Sequence, residues 1–306
     1  MLVYTHPDCA GHLVPAGHAE RPERLGAVER GLAGIAAEWR QCPLAGVEDV
    51  LRCHPRAHFD HIAATVPARG IAALDPDTFL SPRSLDAALR ALGGACAAVD
   101  AVVAGESRAA FVATRPPGHH AERSRAMGFC LFGNAAIAAR RALDHHGLSR
   151  VAIVDFDVHH GNGTQDLVWN EGRCLFVSSH QMPLYPGTGA AGERGAHDQI
   201  LNLPLAPGTG GAEMRAAYED HVLPTLAGWA PELVIVSAGF DAHAADPLAA
   251  LEWQAEDYAW LARHLLEAGG GRVVSVLEGG YDLAALEDSV AAWAGTLAAC
   301  SKEATQ

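Results

Sequence analysis

The chain has 306 residues, 49% hydrophobic and 19% charged, with 22 basic against 36 acidic residues and a formal charge of -14. This composition suits a globular protein with a large core and excludes a disordered chain, and an acidic chain with no basic stripe lacks the electrostatic footprint of a nucleic-acid binder. Seven scattered cysteines without a C-x-x-C pair, no basic-then-apolar leader in MLVYTHPDCAGH and no long apolar run for a membrane span lead us to expect a cytoplasmic protein with reduced thiols.

In chain order the expected elements are strand Leu2–Tyr4, helices Pro22–Ala37 and Ser84–Val103, strand Ala110–Ala113, and helix Asn134–His146. Strands Val151–Asp155, Leu175–Ser178 and Ile200–Leu203 follow, then helix Gly211–Leu226 and strand Leu233–Ser237. Helix Ala255–Glu267, strand Val273–Leu277 and helix Leu283–Ala299 close the chain. Residues 67–81 and 181–199 are expected as long loops, and the tail after Ala299 as frayed. The runs VAIVDF, LVIVSAGF and VVSVLEGG are apolar throughout, as strands covered on both faces are. The alternation predicts one α/β domain over 1–306 with a mostly parallel sheet.

Four of these strands run into polar clusters: RPPGHH, DFDVHHGNG, SAGFDAH and LEGGYD. Ligands of open α/β sheets bind beyond the carboxyl ends of the strands, so the four clusters can converge there. Asp155, Asp157 and His159 alternate, and residues two apart in extended backbone point to the same side. Asp157 and His159 can therefore reach one metal ion, with Asp241 the best candidate for a third ligand. Three protein ligands leave a position for water, as catalytic zinc requires, whereas structural zinc prefers four ligands, commonly thiolates. Any one of these residues alone reads as a strand-end surface group or a helix cap; the cluster with its glycines does not.

His119 and His120 follow a rigid Pro-Pro and a flexible Gly. Amide hydrolysis needs a base for the attacking water and an acid for the leaving amine, and histidine can serve as both. Such histidines need partners to fix tautomer and orientation, for which Asp155 and Asn162 are suited. Tyr281 follows two glycines after a buried strand, where a phenol could donate to a developing oxyanion.

Together RPPGHH (115–120), GFCLFGN (128–134), DFDVHHGNGT (155–164), SAGFDAHAADPL (237–248) and LEGGYD (277–282) resemble the zinc-dependent histone deacetylase family, in particular its bacterial class II-like amidohydrolases. HAERPERL (18–25) is similar to the N-terminal segment of that branch, and the resemblance runs from about Tyr4 to Ala299. It implies the three-layer arginase/deacetylase-like fold, a mostly parallel central sheet flanked by helices. It implies Zn2+ on Asp157, His159 and Asp241, with His120 as general base and acid. His119, paired with Asp155, would act mainly electrostatically, and Tyr281 would polarise the carbonyl. Asn162 stands where class I members have a second aspartate. A structural K+ is implied at Asp155, Asp157, His159, Ser178 and Ser179, mostly through backbone carbonyls. Gly128, Phe129 and Tyr185 match the wall of an acyl-lysine channel, where Tyr185 replaces a more frequent Phe. Leu248 matches a gatekeeper position that can be a glutamate in polyamine-selective relatives. An extra Gly133 before Asn134 departs from the common motif, and a local change at a helix start is expected.

The implied substrate is an acylated lysine on a peptide or protein, or a small acylated amine, and homo-oligomerisation is left open. An acetylpolyamine amidohydrolase is the alternative, which Leu248 disfavours. An arginase-like di-metal enzyme would need carboxylates where His119, His120 and Tyr281 stand. A non-catalytic acyl-lysine binder would not need the full set of ligands, histidines and tyrosine.

Overall fold

The structure, a computed structural model, describes residues 1–303. Eight strands form one sheet: β1 (Leu2–Thr5), β2 (Glu38–Gln41), β5 (Ala109–Val112), β6 (Val151–Asp155), β7 (Cys174–Gln181), β8 (Ile200–Leu205), β9 (Leu233–Ala238) and β10 (Val273–Leu277). Their order is β2-β1-β5-β10-β9-β6-β7-β8, and every pairing is parallel. A two-strand hairpin, β3 (Ala72–Ala73) and β4 (Phe79–Leu80), lies in the predicted 67–81 loop.

Period-two alternation divides the strand residues between two cores. Ala110, Val112, Val151 and Ile153 pack under α4 (Ser84–Val103) and α5 (Asn134–Asp144). Phe111, Ala152, Val154 and Val234 pack on the other face under α1 (Glu23–Leu32), α9 (Ala255–Ala268) and α10 (Leu283–Glu303). Both faces are therefore covered, which is why these strands read as unbroken apolar runs. The helix–sheet–helix layering and the parallel sheet match the expected fold class.

The differences from expectation are local. Helix α1 ends at Leu32 instead of Ala37, and the chain turns into β2. β2 reads EWRQ and is largely exposed; an edge strand pairs through backbone and needs no apolar pattern. The short helices α2 (Val47–Val50), α3 (Arg56–Thr65) and α6 (Asn162–Val168) were not expected. The expected helix 211–226 is α7 (Gly211–Ala217), a π turn over Tyr218–Val222, and α8 (Leu223–Trp229). Pro224 has no N–H to continue a regular ladder, which accounts for the break. Helix α10 runs past Ala299 to Glu303, and the rest of the expected frayed tail, 304–306, lies outside the described residues. Residues 182–199 hold no helix or strand, as expected of a loop. Among the described residues no helix is long and apolar enough to cross a membrane.

One topological fact places the site. β5, β10, β9 and β6, the strands that run into the four polar clusters, are four consecutive neighbours in the middle of the sheet. Because all are parallel, their carboxyl ends open at one edge.

Candidate active site

Asp157 and His159 follow β6, and Asp241 follows β9. One ligand atom from each lies within 4.8 Å of the other two, and all three residues are buried. His159 Nδ1 is 3.0 Å from Asp157 Oδ1 and 3.3 Å from Asp241 Oδ2. Backbone donors aim the carboxylates. Asp157 Oδ1 accepts the N–H of His159 at 2.9 Å, Asp157 Oδ2 that of Gly279 at 2.8 Å, and Asp241 Oδ1 that of Val158 at 2.9 Å. Asp241 Oδ2 is buried and makes no hydrogen bond. A Cβ on Gly239 or Gly279 would collide with these carboxylate oxygens, so the glycines of SAGF and LEGG let backbone close over the cluster.

The electrostatics ask for a cation here. Burial disfavours the Asp157 charge, yet His119 and His159 hold its carboxyl below the ordinary range. Burial and the Asp157 charge push Asp241 up. Burial opposes charge on His159, but the facing carboxylates of Asp157 and Asp241 carry it up to about 10. An orphaned carboxylate oxygen, a second carboxylate and an imidazole nitrogen facing one point fit a divalent metal with a further position open.

Beside this cluster the two adjacent histidines have different partners. His119 Nδ1 lies 3.1 Å from Asp155 Oδ2, and its Nε2 3.8 Å from Asp157 Oδ2. His120 Nδ1 lies 2.7 Å from Asn162 Oδ1. Burial opposes charge on His119, but Asp157 and Asp155 raise its pKa well above the usual histidine value. Burial and the neighbouring His119 charge hold His120 well below it. The pair is split electrostatically, one favouring imidazolium and the other neutral imidazole.

Three supports of this arrangement were not singled out from sequence. Glu278 is buried and accepts the N–H groups of Gly118 (2.7 Å) and His119 (3.1 Å), fixing the turn that presents the histidines. Burial pushes its carboxyl up to about 7. Asp246 Oδ2 accepts the N–H of Tyr281 at 2.7 Å and its Oδ1 that of Leu248 at 3.0 Å, tying the LEGGYD turn to the ADPL turn. Buried Glu20 pairs with Arg24 and Arg115, and Arg24 also donates to the carbonyls of Glu278 (2.5 Å) and Gly280 (2.6 Å). Each of these charges sits inside a quoted motif, and a charge with no assigned role was the available signal.

A cavity of about 220 Å³ leads from the surface to this cluster, with His120, His159 and Tyr281 at its inner end. Gly128, Phe129 and Tyr185 line its walls, and Leu248 and Asp77 also border it. The Tyr185 ring stands 5.1 Å from the His120 ring and nearly perpendicular to it. Phe129 has φ +70°, a left-handed conformation that bulky residues rarely adopt. Its N–H donates to Thr78 Oγ1 at 3.1 Å, and that of Gly128 to Asp77 Oδ1 at 3.2 Å. The 67–81 segment therefore buttresses the wall. Gly128 packs so close to the His120 ring that a Cβ would overlap it.

The remaining expectations fall as follows. Ser178 lies across the ladder from Asp155. The Ser178 hydroxyl lies 3.1 Å from His180 Nδ1 and the Ser179 hydroxyl 2.8 Å from the Tyr218 hydroxyl. The extra Gly133 sits at the N-cap of α5, and its N–H donates to His54 Nε2 at 2.9 Å. The histidines and cavity walls remain together beside this helix start.

The histone deacetylase domain family model matches residues 18–297. The chain is 44% identical over 286 residues to an uncharacterized protein of Synechocystis sp., covering 94% of this chain and 91% of that one. It is 40% identical over 278 residues to the histone deacetylase-like amidohydrolase of Pseudomonas aeruginosa, covering 87% and 73%. The crystal structure of the HDA15 HD domain superposes with a TM-score of 0.93 at 33% identity, covering 97% of this chain and 90% of that one. Fold, clustered motifs and relatives agree, and this chain belongs to the histone deacetylase family of hydrolases.

Proposed function

We propose that the protein is a zinc-dependent amidohydrolase that removes acetyl or related acyl groups from lysine side chains, with residues 1–306 forming one catalytic domain in the cytoplasm. One observation carries this reading: a largely apolar cavity reaches His120, Tyr281 and His159, and His159 clusters with the buried Asp157 and Asp241. Such a channel fits an acylated alkyl chain and delivers its carbonyl to the polar end.

Asp157, His159 and Asp241 would hold zinc, which would supply Lewis-acid activation for the scissile carbonyl and the attacking water. His120 has Nδ1 engaged by Asn162, so Nε2 is the nitrogen free to take the proton of the water and return it to the departing amine. His119, against Asp155 and Asp157, keeps a positive charge nearby. Tyr281 donates a hydrogen bond to the oxyanion as it develops. Phe129 and Tyr185 exclude water from the alkyl chain. The products are a free amine and a carboxylate. K+ held mostly by backbone carbonyls at Asp155, Asp157, His159, Ser178 and Ser179 would brace the segment that presents the zinc ligands.

A second reading, an acetylpolyamine amidohydrolase, is favoured by one observation: the carboxylate-bearing Asp77 borders the channel. Leu248 argues the other way, because an ammonium beside an apolar wall loses hydration without a partner. The test is kcat/KM for acetyl-lysine peptides against acetylspermidine. The proposal expects the peptide to be preferred; a tenfold preference for the polyamine, about 1.4 kcal/mol, would establish the second reading instead.

A further inference from the structure

We infer that Glu122 is a positioning residue that decides which end of the Asn162 amide faces His120, and through it which nitrogen of His120 is free for proton transfer. The inference rests on the amidohydrolase reading above. A side-chain amide has one accepting and one donating end of nearly equal shape, and only its partners fix which way it points. Asn162 Nδ2 donates to Glu122 Oε1 at 2.7 Å, and Met127 Sδ lies 3.5 Å from the same nitrogen. Both neighbours on that side are acceptors. The amide oxygen must then face His120, where it lies 2.7 Å from Nδ1. An oxygen accepts only, so His120 carries its hydrogen on Nδ1, and Nε2 is left bare.

The contrast with His119 shows why a third residue is needed. His119 is oriented by the carboxylate of Asp155, which accepts whichever way it is turned. Asn162 gives His120 no such guarantee without Glu122. Glu122 is itself set by a tight turn two residues past His120, where its N–H donates to the Arg125 carbonyl at 2.9 Å and its carbonyl accepts from the Arg125 N–H at 3.3 Å.

The test reverses the polarity of position 122. Lysine offers only donors, so Glu122→Lys should turn the amide, present Nδ2 to His120 and drive the hydrogen to Nε2. With the zinc-loaded enzyme and an acetyl-lysine peptide, kcat should fall about tenfold to hundredfold, the scale of a misdirected hydrogen bond to a reacting group, while KM stays within about twofold. Glu122→Gln, which still offers an acceptor, should stay near the unmodified rate. In an Asn162→Asp background the sign should reverse: Glu122 now faces a second carboxylate, and Glu122→Lys should raise kcat. Nitrogen-15 imidazole spectra of the full chain, with His120 signals assigned by their loss in His120→Gln, should show the hydrogen on Nδ1 in the unmodified protein and on Nε2 in Glu122→Lys. Loss of the same size in both backgrounds, or an unchanged His120 tautomer, would overturn the proposal. If the unmodified enzyme hydrolyses no acyl amide, the functional reading fails, and the tautomer measurement still decides the role of Glu122.

Discussion

The inner end of the channel and its outer border are built on different principles. At the inner end Asp155, Asp157 and Asp241 are wholly buried, and their carboxylates are aimed by backbone N–H groups 2.8–3.1 Å away. At the border Tyr185 and Leu248 are 38% and 37% exposed and sit on loops. Groups fixed by backbone on neighbouring parallel strands hold one geometry, while loop side chains can vary without disturbing it. On this account the inner end sets the reaction and the border sets the choice of substrate, and mutations in the two regions should behave differently.

The largest effect is expected at the inner end. Asp241→Ala removes one of the three proposed metal ligands, so zinc content should fall well below one per chain and turnover should vanish; metal analysis beside a turnover assay checks both. A normal zinc content would remove Asp241 from the ligand set.

Next comes the ion network beneath the LEGGYD turn. Glu20→Gln leaves Arg24 and Arg115 buried without their carboxylate, which should cost about 3–5 kcal/mol of stability in urea unfolding. The same network gives a pH signature. Burial opposes the Glu20 charge, but Arg115 and Arg24 lower its pKa from 4.5 to about 2 in the folded protein. A depressed carboxyl stabilises the fold above its unfolded pKa, so this contribution should be lost as pH falls from about 4.5 to about 2. In Glu20→Gln that part of the acid sensitivity should disappear.

Tyr281→Phe should slow turnover about 100- to 1000-fold, the loss of about 2.7–4 kcal/mol seen when one oxyanion donor is removed. Zinc content should stay unchanged, because Tyr281 is not among the proposed ligands. Wild-type turnover would take Tyr281 out of the mechanism.

The smallest effect belongs to the border. Leu248→Glu should leave stability and zinc content unaltered and shift the ratio of kcat/KM towards acetylspermidine by up to about tenfold. A general loss of activity on both substrates would show that the border is coupled to the inner end, and the contrast drawn here would fail.

This contrast also explains what was legible in the sequence. The inner-end residues lie in short motifs that follow strongly apolar strands, so both the parallel sheet and the convergence of Asp157, His159 and Asp241 could be read in advance. The supports could not. Glu278, Asp246, Glu20 and Glu122 accept hydrogen bonds from atoms distant in sequence, and a charge inside a motif signals that a partner exists without saying which one. β2 was missed for a related reason: at the sheet edge its backbone pairs while EWRQ stays exposed, so no apolar pattern marks it. Pro224 within the 211–226 stretch marks a break, but not the form the break takes, a π turn over Tyr218–Val222.

The central claim is that one zinc ion at Asp157, His159 and Asp241 drives amide hydrolysis. The most direct measurement is turnover of an acetyl-lysine peptide by purified protein before chelation, after exhaustive chelation and after zinc is restored, with metal content determined at each step. The account predicts about one zinc per chain in the active protein, loss of activity on its removal and recovery with stoichiometric zinc. Full activity in thoroughly metal-free protein would contradict it.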